Sequence, residues 1–217
     1  MKENQHLVAR PAPPRHLALL AVVLVVVVGA LLVLINLGAQ MMVSTQAYIT
    51  AEGHYIKGQK DAVRYLERYI RTGDERQWQA YERRVAIPLA DRRAREALQS
   101  HPPQPDVAAA AFEEALNHPD DAVAMVTLFP YSSVIDEMAR AIEIWEAGDA
   151  DVARLVALAN HVRERRLAGA QWDDFDEEYH QLESLSARLD GLGVQFSASL
   201  NAGSRRIRGM VQSSVLI

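Results

Sequence analysis

From Leu17 to Leu37 the chain runs LALLAVVLVVVVGALLVLINL without a charged side chain, and beyond Gln40 apolar positions recur at helical spacing instead. Twenty-one such residues, at about 1.5 Å each in a helix, just cross the roughly 30 Å hydrocarbon core of a bilayer. The run exceeds the apolar core of a secretory signal peptide, typically about 7–15 residues. Leu37-Gly38-Ala39, the best cleavage-like site, also places a large Leu where a small residue is wanted. The pattern predicts a retained transmembrane helix over 17–39, preceded by a tail over 1–16.

The exported region, 40–205, reads as helix throughout. Met42, Ile49, Ile56, Val63 and Ile70 repeat at the heptad interval, with Tyr48, Tyr55, Ala62 and Tyr69 beside them, the signature of a long helix packed in coiled-coil fashion. Thr72-Gly73-Asp74 suits a helix C-cap followed by an N-cap. The second helix carries Trp78, Tyr81, Val85 and Leu89 on one side, and Pro88 inside it predicts a kink or local break. His101-Pro102-Pro103-Gln104-Pro105 ends it. Ile135, Met138, Ile142 and Trp145 belong to a further helix, and Gly148-Asp149 repeats the Gly-Asp punctuation, predicting a second junction before the stripe Val152, Leu155, Val156, Ala159 and Val162. Leu167-Ala168-Gly169 closes that stripe. The last helix starts near Trp172-Asp173, with acids in its first turns favouring the positive end of the helix dipole, and runs on through Phe175, Leu182, Leu185, Leu189, Leu192, Phe196 and Leu200. Gly191 and Gly193 weaken it and predict a bend. No alternating strand pattern and no Asn-Gly hairpin turn occurs. The expected fold is all-α: an N-terminal transmembrane helix, then an elongated four-helix-type bundle with one or two extra short helices. Residues 206–217, with Arg205, Arg206 and Arg208 before an apolar end, read as a segment returning to the membrane, either the first turns of a second transmembrane helix or an interfacial helix on anionic headgroups.

Charge sets the orientation. Lys2, Arg10 and Arg15 precede the apolar run against one acid, Glu3, while the first twenty residues after it hold a single basic residue, Lys57. Basic flanks mark the cytoplasmic side, so the N-terminus is expected inside and the bulk of the chain outside the inner membrane of a bacterium. Cysteine is absent, which excludes disulfides and thiol catalysis and leaves packing to stabilise the exported part. From Gln40 to Ser204 there are 17 Lys and Arg against 27 Asp and Glu, a net of −10. The basic residues concentrate before residue 101 and the acidic ones after it, as expected for two complementary hairpins of one bundle. An exported acidic domain is a poor nucleic-acid binder, because phosphate contacts need a concentrated basic patch.

Candidate chemistry is sparse. Asn117-His118-Pro119-Asp120-Asp121 has metal-binding composition but reads as capping around a proline, and the acids Asp173 to Glu178 read as a solvated helix start without calcium-loop spacing. No metal site, cofactor or catalytic residue is predicted, and no nucleophile arrangement occurs. Glu52, His54, Gln59 and Lys60 lie beside Tyr55 and Ile56; the outer helix surface is their expected place, with register or ligand contact as the alternative. Arg64, Arg68, Arg83, Arg92 and Arg93 read first as surface ion pairs, and alternatively as forks for a carboxylate or phosphate. His54, Lys60, Arg64, Arg92 and Arg93 are therefore the candidate ligand-binding residues. Trp78 and Trp145 are expected in the core.

Several stretches resemble the helical-bundle extracytoplasmic sensor modules of bacterial membrane signalling proteins. Tyr65-Leu66-Glu67-Arg68-Tyr69-Ile70-Arg71-Thr72-Gly73-Asp74-Glu75, then Trp78 and Tyr81, resembles the helix junction of CHASE- and chemoreceptor-type four-helix bundles. Gly58-Gln59-Lys60-Asp61-Ala62, Pro88-Leu89-Ala90-Asp91-Arg92-Arg93-Ala94, Asn117-His118-Pro119-Asp120-Asp121 and Ile144-Trp145-Glu146-Ala147-Gly148-Asp149, in that order, are similar to modules N-terminal to cyclic-di-GMP enzymes and sensor kinases. The resemblance implies signal reception outside the cell, for a small molecule or periplasmic protein, by a homodimer that transmits helix displacement to an output module. No Gly-Gly-Asp-Glu-Phe sequence, Glu-Ala-Leu signature with metal-binding carboxylates or nucleotide-binding glycine loop is present, so cyclase, phosphodiesterase or kinase output is expected in a missing or separate module. The alternative is a membrane-anchored envelope scaffold or assembly protein that binds another protein through its bundle.

Overall fold

The computed structural model describes residues 15–215. Six α-helices account for nearly all of them: α1 (Arg15–Thr72), α2 (Glu75–Gln99), α3 (Pro105–Glu114), α4 (Pro119–Leu128), α5 (Asp136–Leu167) and α6 (Asp176–Val215), with 3-10 turns at Phe129–Val134 and Trp172–Asp174. The protein is an all-α bundle, and its first helix is long and apolar enough to cross a membrane. Almost every apolar side chain from Leu17 to Leu37 is exposed, and the same helix continues without a break into the bundle.

The four long helices α1, α2, α5 and α6 form the bundle, and the short α3–α4 hairpin packs against α2 and α1. Cross-contacts fix the directions. Tyr55 meets Asp149 and the Ile70 carbonyl meets Arg166, so α1 and α5 are parallel at an offset near 95 residues. Glu52 meets Ser197 and Lys60 meets Asp190, so α6 runs antiparallel to α1.

Two apolar cores follow one another along the long axis. The distal core gathers Leu66, Tyr69, Trp78, Val152, Leu155, Ala159, Val162, Phe175 and Leu182 from the four long helices. The core nearer the apolar run gathers Tyr48, Tyr55, Phe112, Met125, Trp145, Phe196 and Leu200, and so includes the α3–α4 hairpin. Each fully buried Leu removes enough apolar surface from water to contribute about 1.5–3 kcal/mol.

Local chemistry explains most boundaries. Gly73 takes a φ of +63°, a left-handed conformation open to glycine, and ends α1. The Asp74 carboxylate then accepts from the Arg76 N–H at 2.9 Å to start α2. The His118 ring accepts from the Asp120 N–H at 3.2 Å, while the Asn117 amide donates to the Phe112 carbonyl that ends α3.

Two expectations about the helices are corrected, the second junction and the buried stripe of α1. Gly148-Asp149 is no junction: α5 continues through it. Pro88 lies within α2 without ending it, and α1 approaches closely there, since a Cβ on Gly58 would sit 3.1 Å from the Ile87 side chain and 3.2 Å from the Arg84 carbonyl. Gly191 and Gly193 do not interrupt α6. The Tyr48, Tyr55, Ala62 and Tyr69 stripe is the buried one, whereas Met42 is exposed and Ile49, Ile56 and Val63 are half-buried. The reason is that α1 packs chiefly against α2 and α6, with α4 as a third neighbour, so its buried face is centred beside the seam that heptads alone pick out. The tail over 1–16 lies outside the described residues apart from Arg15 and His16, which open α1; α6 carries residues 206–215 as helix, and Leu216 and Ile217 lie outside the described residues.

Candidate functional site

Buried charge, not an open cleft, marks the candidate site. On α2, Asp91 and Arg95 are one turn apart, which puts both on one face. On α5, Trp145 and Asp149 hold the same spacing, and on α1 so do Tyr48 and Glu52, with Tyr55 continuing the face. The three faces converge. Arg95 donates to the Asp149 carboxylate from Nε at 2.9 Å and from Nη2 at 2.7 Å. Tyr55 Oη donates to the other Asp149 oxygen at 3.2 Å. The remaining Arg95 nitrogen reaches Gln99 Oε1 at 2.5 Å and Glu146 Oε1 at 3.2 Å, and Gln99 donates to the same Glu146 oxygen at 2.7 Å.

Gly148 makes this convergence possible. The Tyr55 hydroxyl lies 2.9 Å from where a Gly148 Cβ would be, so a larger residue would push the ring away from Asp149. A dipeptide with the composition of a helix junction thus serves as a notch and an acceptor.

Asp91 has no such partners. It is 2% exposed, and neither carboxylate oxygen has a hydrogen-bond partner among the described residues. The Trp145 indole N–H is likewise buried and unpartnered. Asp91, Trp145, Tyr48, Glu52, Tyr55, Met125 and Phe196 line one cavity of about 10 Å³, the size of a single water. An aromatic frame surrounds it, with Trp145 and Phe196 ring centroids 6.2 Å apart and Tyr55 and Phe196 6.5 Å apart.

A buried carboxylate without partners favours its neutral form. Burial, then the neighbouring Asp149 charge, holds the Asp91 carboxyl well above the usual carboxylate range. Asp149 is pushed up to about 6 by burial, against the opposing pull of Arg95. Burial also raises Glu52, whose side chain accepts from the Ser197 hydroxyl of α6. Arg95, the one buried cation among the described residues, thus pairs with Asp149 and Glu146, while the buried Asp91 and Glu52 beside them have no cation partner among those residues. The site's chemistry is proton uptake and hydrogen bonding; among the described residues no group of three or more His, Asp or Glu is placed to hold a metal ion.

The candidate ligand residues lie elsewhere. Lys60 pairs with Asp190 at 3.2 Å, Arg64 with Asp61 at 2.8 Å, Arg92 with Glu96 at 2.7 Å, and Arg93 with Glu114. His54 is half-buried on α1. Each of the four cations meets an acid instead of converging with the others on a common ligand. Glu52 and Gln59, expected on the outer surface, are buried, because the Tyr48–Tyr55 face turns inward. Sequence reasoning passed over Asp91, Arg95 and Asp149. The available signal was an Asp and an Arg set one turn apart among Ala90, Ala94, Ala97 and Leu98, small and apolar residues that mark a packed face.

Comparison with known proteins finds no family model, no curated relative and no solved structure that matches the chain.

Proposed function

We propose that this chain is the membrane-anchored sensory input region of a bacterial signal-transduction receptor. Its N-terminus lies in the cytoplasm and its bundle lies outside the inner membrane. One observation carries the reading: the helix with the apolar run also supplies Tyr48, Glu52 and Tyr55 to a buried polar seam that is only partly satisfied. Fully partnered charges fix one arrangement, whereas unpartnered buried ones leave a second packing close in free energy. A stimulus that binds or protonates the seam differently in the two packings shifts their populations. α1 carries that change toward the membrane, and α6 lies antiparallel beside it, so a slide between them outside becomes a slide at the bilayer. The output, cyclic-di-GMP turnover or a histidine kinase as the motif resemblance implies, belongs to another module.

Disulfide trapping tests this directly, because the chain has no native cysteine. Ile56→Cys pairs with Gly193→Cys in the present register, where a Gly193 Cβ would sit 3.4 Å from the Ile56 side chain. Ile56→Cys with Ser197→Cys samples a register shifted by one turn. In proteoliposomes the ratio of the two cross-links should change between acidic and neutral pH, and again with Asp91→Asn. An unchanging ratio under all these conditions would overturn the reading and favour a static envelope scaffold.

A further inference from the structure

The parallel register of α1 and α5 gives heights above the apolar run. Tyr55 stands opposite Asp149 and Ile70 opposite Arg166, so Asp136 stands at the height of about Met42 and the Val134 end of the turn Phe129–Val134 near Gln40, while Phe129, Pro130, Ser132 and Ser133 lie against Leu98 and Gln99 of α2. The antiparallel α6 agrees from the other side: Arg206 contacts Glu137 at 3.1 Å and Gly203 packs on Met138. Gln40 follows Leu37 by three residues, about 5 Å of helix. The Val134 end of the turn therefore lies about 5 Å of helix beyond the apolar run.

Its composition departs from that of a solvated turn. Phe129-Pro130-Tyr131-Ser132-Ser133-Val134 contains no charge, Val134 is 77% exposed and Tyr131 is 49% exposed. On α1 at about the same height, Met42 and Val43 are exposed too. Arg205 and Arg208 are exposed on α6 at this level, while Arg206 offsets the nearby Asp136 and Glu137 by pairing with both. An exposed tyrosine and valine, with two exposed arginines on α6 at about the same height beyond a lipid-length helix, have the composition of a membrane–water interface.

We propose that the turn Phe129–Val134 is a second membrane contact, resting in the headgroup layer of the bilayer that α1 enters, with Arg205 and Arg208 reaching lipid phosphates. The proposal rests on α1 being inserted in that bilayer. Two separated contacts would fix the tilt of the bundle on the membrane, so α5, which starts at the turn and carries Trp145 and Asp149, has its own footing there.

Single nitroxide-labelled cysteines in the full chain test it, in vesicles of phosphatidylethanolamine and phosphatidylglycerol. Leu24→Cys reports on insertion of α1, Val134→Cys on the turn, and Gln181→Cys on the distal half as an aqueous reference. The expected result is collision of the Val134→Cys label with membrane-dissolved oxygen in excess of a water-soluble nickel chelate, the reverse at Gln181→Cys, and full protection from nickel at Leu24→Cys. Nickel access at Val134→Cys equal to that at Gln181→Cys, with Leu24→Cys protected, overturns the contact and leaves the anchor standing. Shielding of Val134→Cys from both quenchers overturns it in favour of a protein neighbour. Nickel access at Leu24→Cys overturns the anchor itself.

Discussion

The two halves of the bundle are built on different terms. In the distal half Leu66, Val152, Leu155, Ala159, Val162 and Phe175 are fully or almost fully buried, and the two buried acids there, Asp151 and Glu178, are each paired with arginine, Asp151 with Arg154 and Arg188 and Glu178 with Arg165. In the half nearer the apolar run the same long helices enclose Glu52, Asp91, Arg95 and Asp149, and the α3–α4 hairpin widens the core. Apolar packing with its acids paired has one good arrangement, because the core loses contact energy and the pairs lose partners whenever it is displaced, whereas Asp91 in the other half has no partner to lose. Incompletely paired buried charge has no such single optimum. The distal half is thus suited to hold the helices together, and the proximal half to let them move.

The largest effect should come from Arg95, the one buried cation among the described residues. Arg95→Ala strands the Asp149 carboxylate, which is buried and otherwise held only by Tyr55, and breaking such a pair costs about 3–5 kcal/mol. Denaturant unfolding in detergent measures it. If the loss is below about 1 kcal/mol, the range of exposed pairs, the seam is not the buried network described and the contrast between the halves collapses. Next in size is a distal substitution, Leu155→Ala. It should cost about 2–5 kcal/mol by leaving a cavity in a packed core, and the cost should be the same at pH 5 and pH 8. A pH-dependent loss there would show that the two halves are coupled more tightly than their separate cores indicate.

Asp91→Asn sharpens the contrast through pH. The Asp91 carboxyl is held well above its ordinary value in the folded chain and titrates near 3.9 when unfolded. The folded state therefore binds the extra proton, and its stabilisation is complete below about pH 4 and declines as pH rises toward the folded value. Asp149, pushed up to about 6, acts in the same direction between about pH 4 and 6. Replacing Asp91 by Asn removes its part of this slope. Relative to the native chain, the variant should match or fall short in thermal midpoint near pH 4 and gain steadily toward pH 8. Parallel midpoint curves for the two chains would mean that Asp91 is partnered and charged in the fold.

How much of this was legible in the sequence follows from what each signal measures. The apolar run, the all-helical pattern, the Gly73-Asp74 junction and the core positions of Trp78 and Trp145 are local or periodic, and each stands in the structure. Gly148-Asp149 has the same composition as Gly73-Asp74 and opposite meaning. At Gly73 the backbone turns left-handed, whereas at Gly148 the helix continues and the missing side chain admits Tyr55 from α1. Only the neighbour ninety-odd residues away distinguishes the two, and no local pattern contains it. The site failed to show for a similar reason. Arg92 and Arg93 stood out as a basic pair, yet Arg95 alone faces Asp149, because steps of 100° along α2 separate a surface cation from a buried one.

The smallest effect concerns Lys60. Its pair with Asp190 links α1 to α6 across the boundary between the halves, but the two side chains are 61% and 53% exposed. Exposed pairs contribute about 0–1 kcal/mol, since water screens the attraction and holding two long side chains costs entropy. Lys60→Ala should therefore shift the unfolding midpoint by no more than that, with the small shift fading in high salt. A larger loss that persists in salt would mean that Lys60 meets a bound anion or a buried carboxylate. The ligand site would then lie on the outer face of α1, and the polar seam inside the proximal core would be structural only.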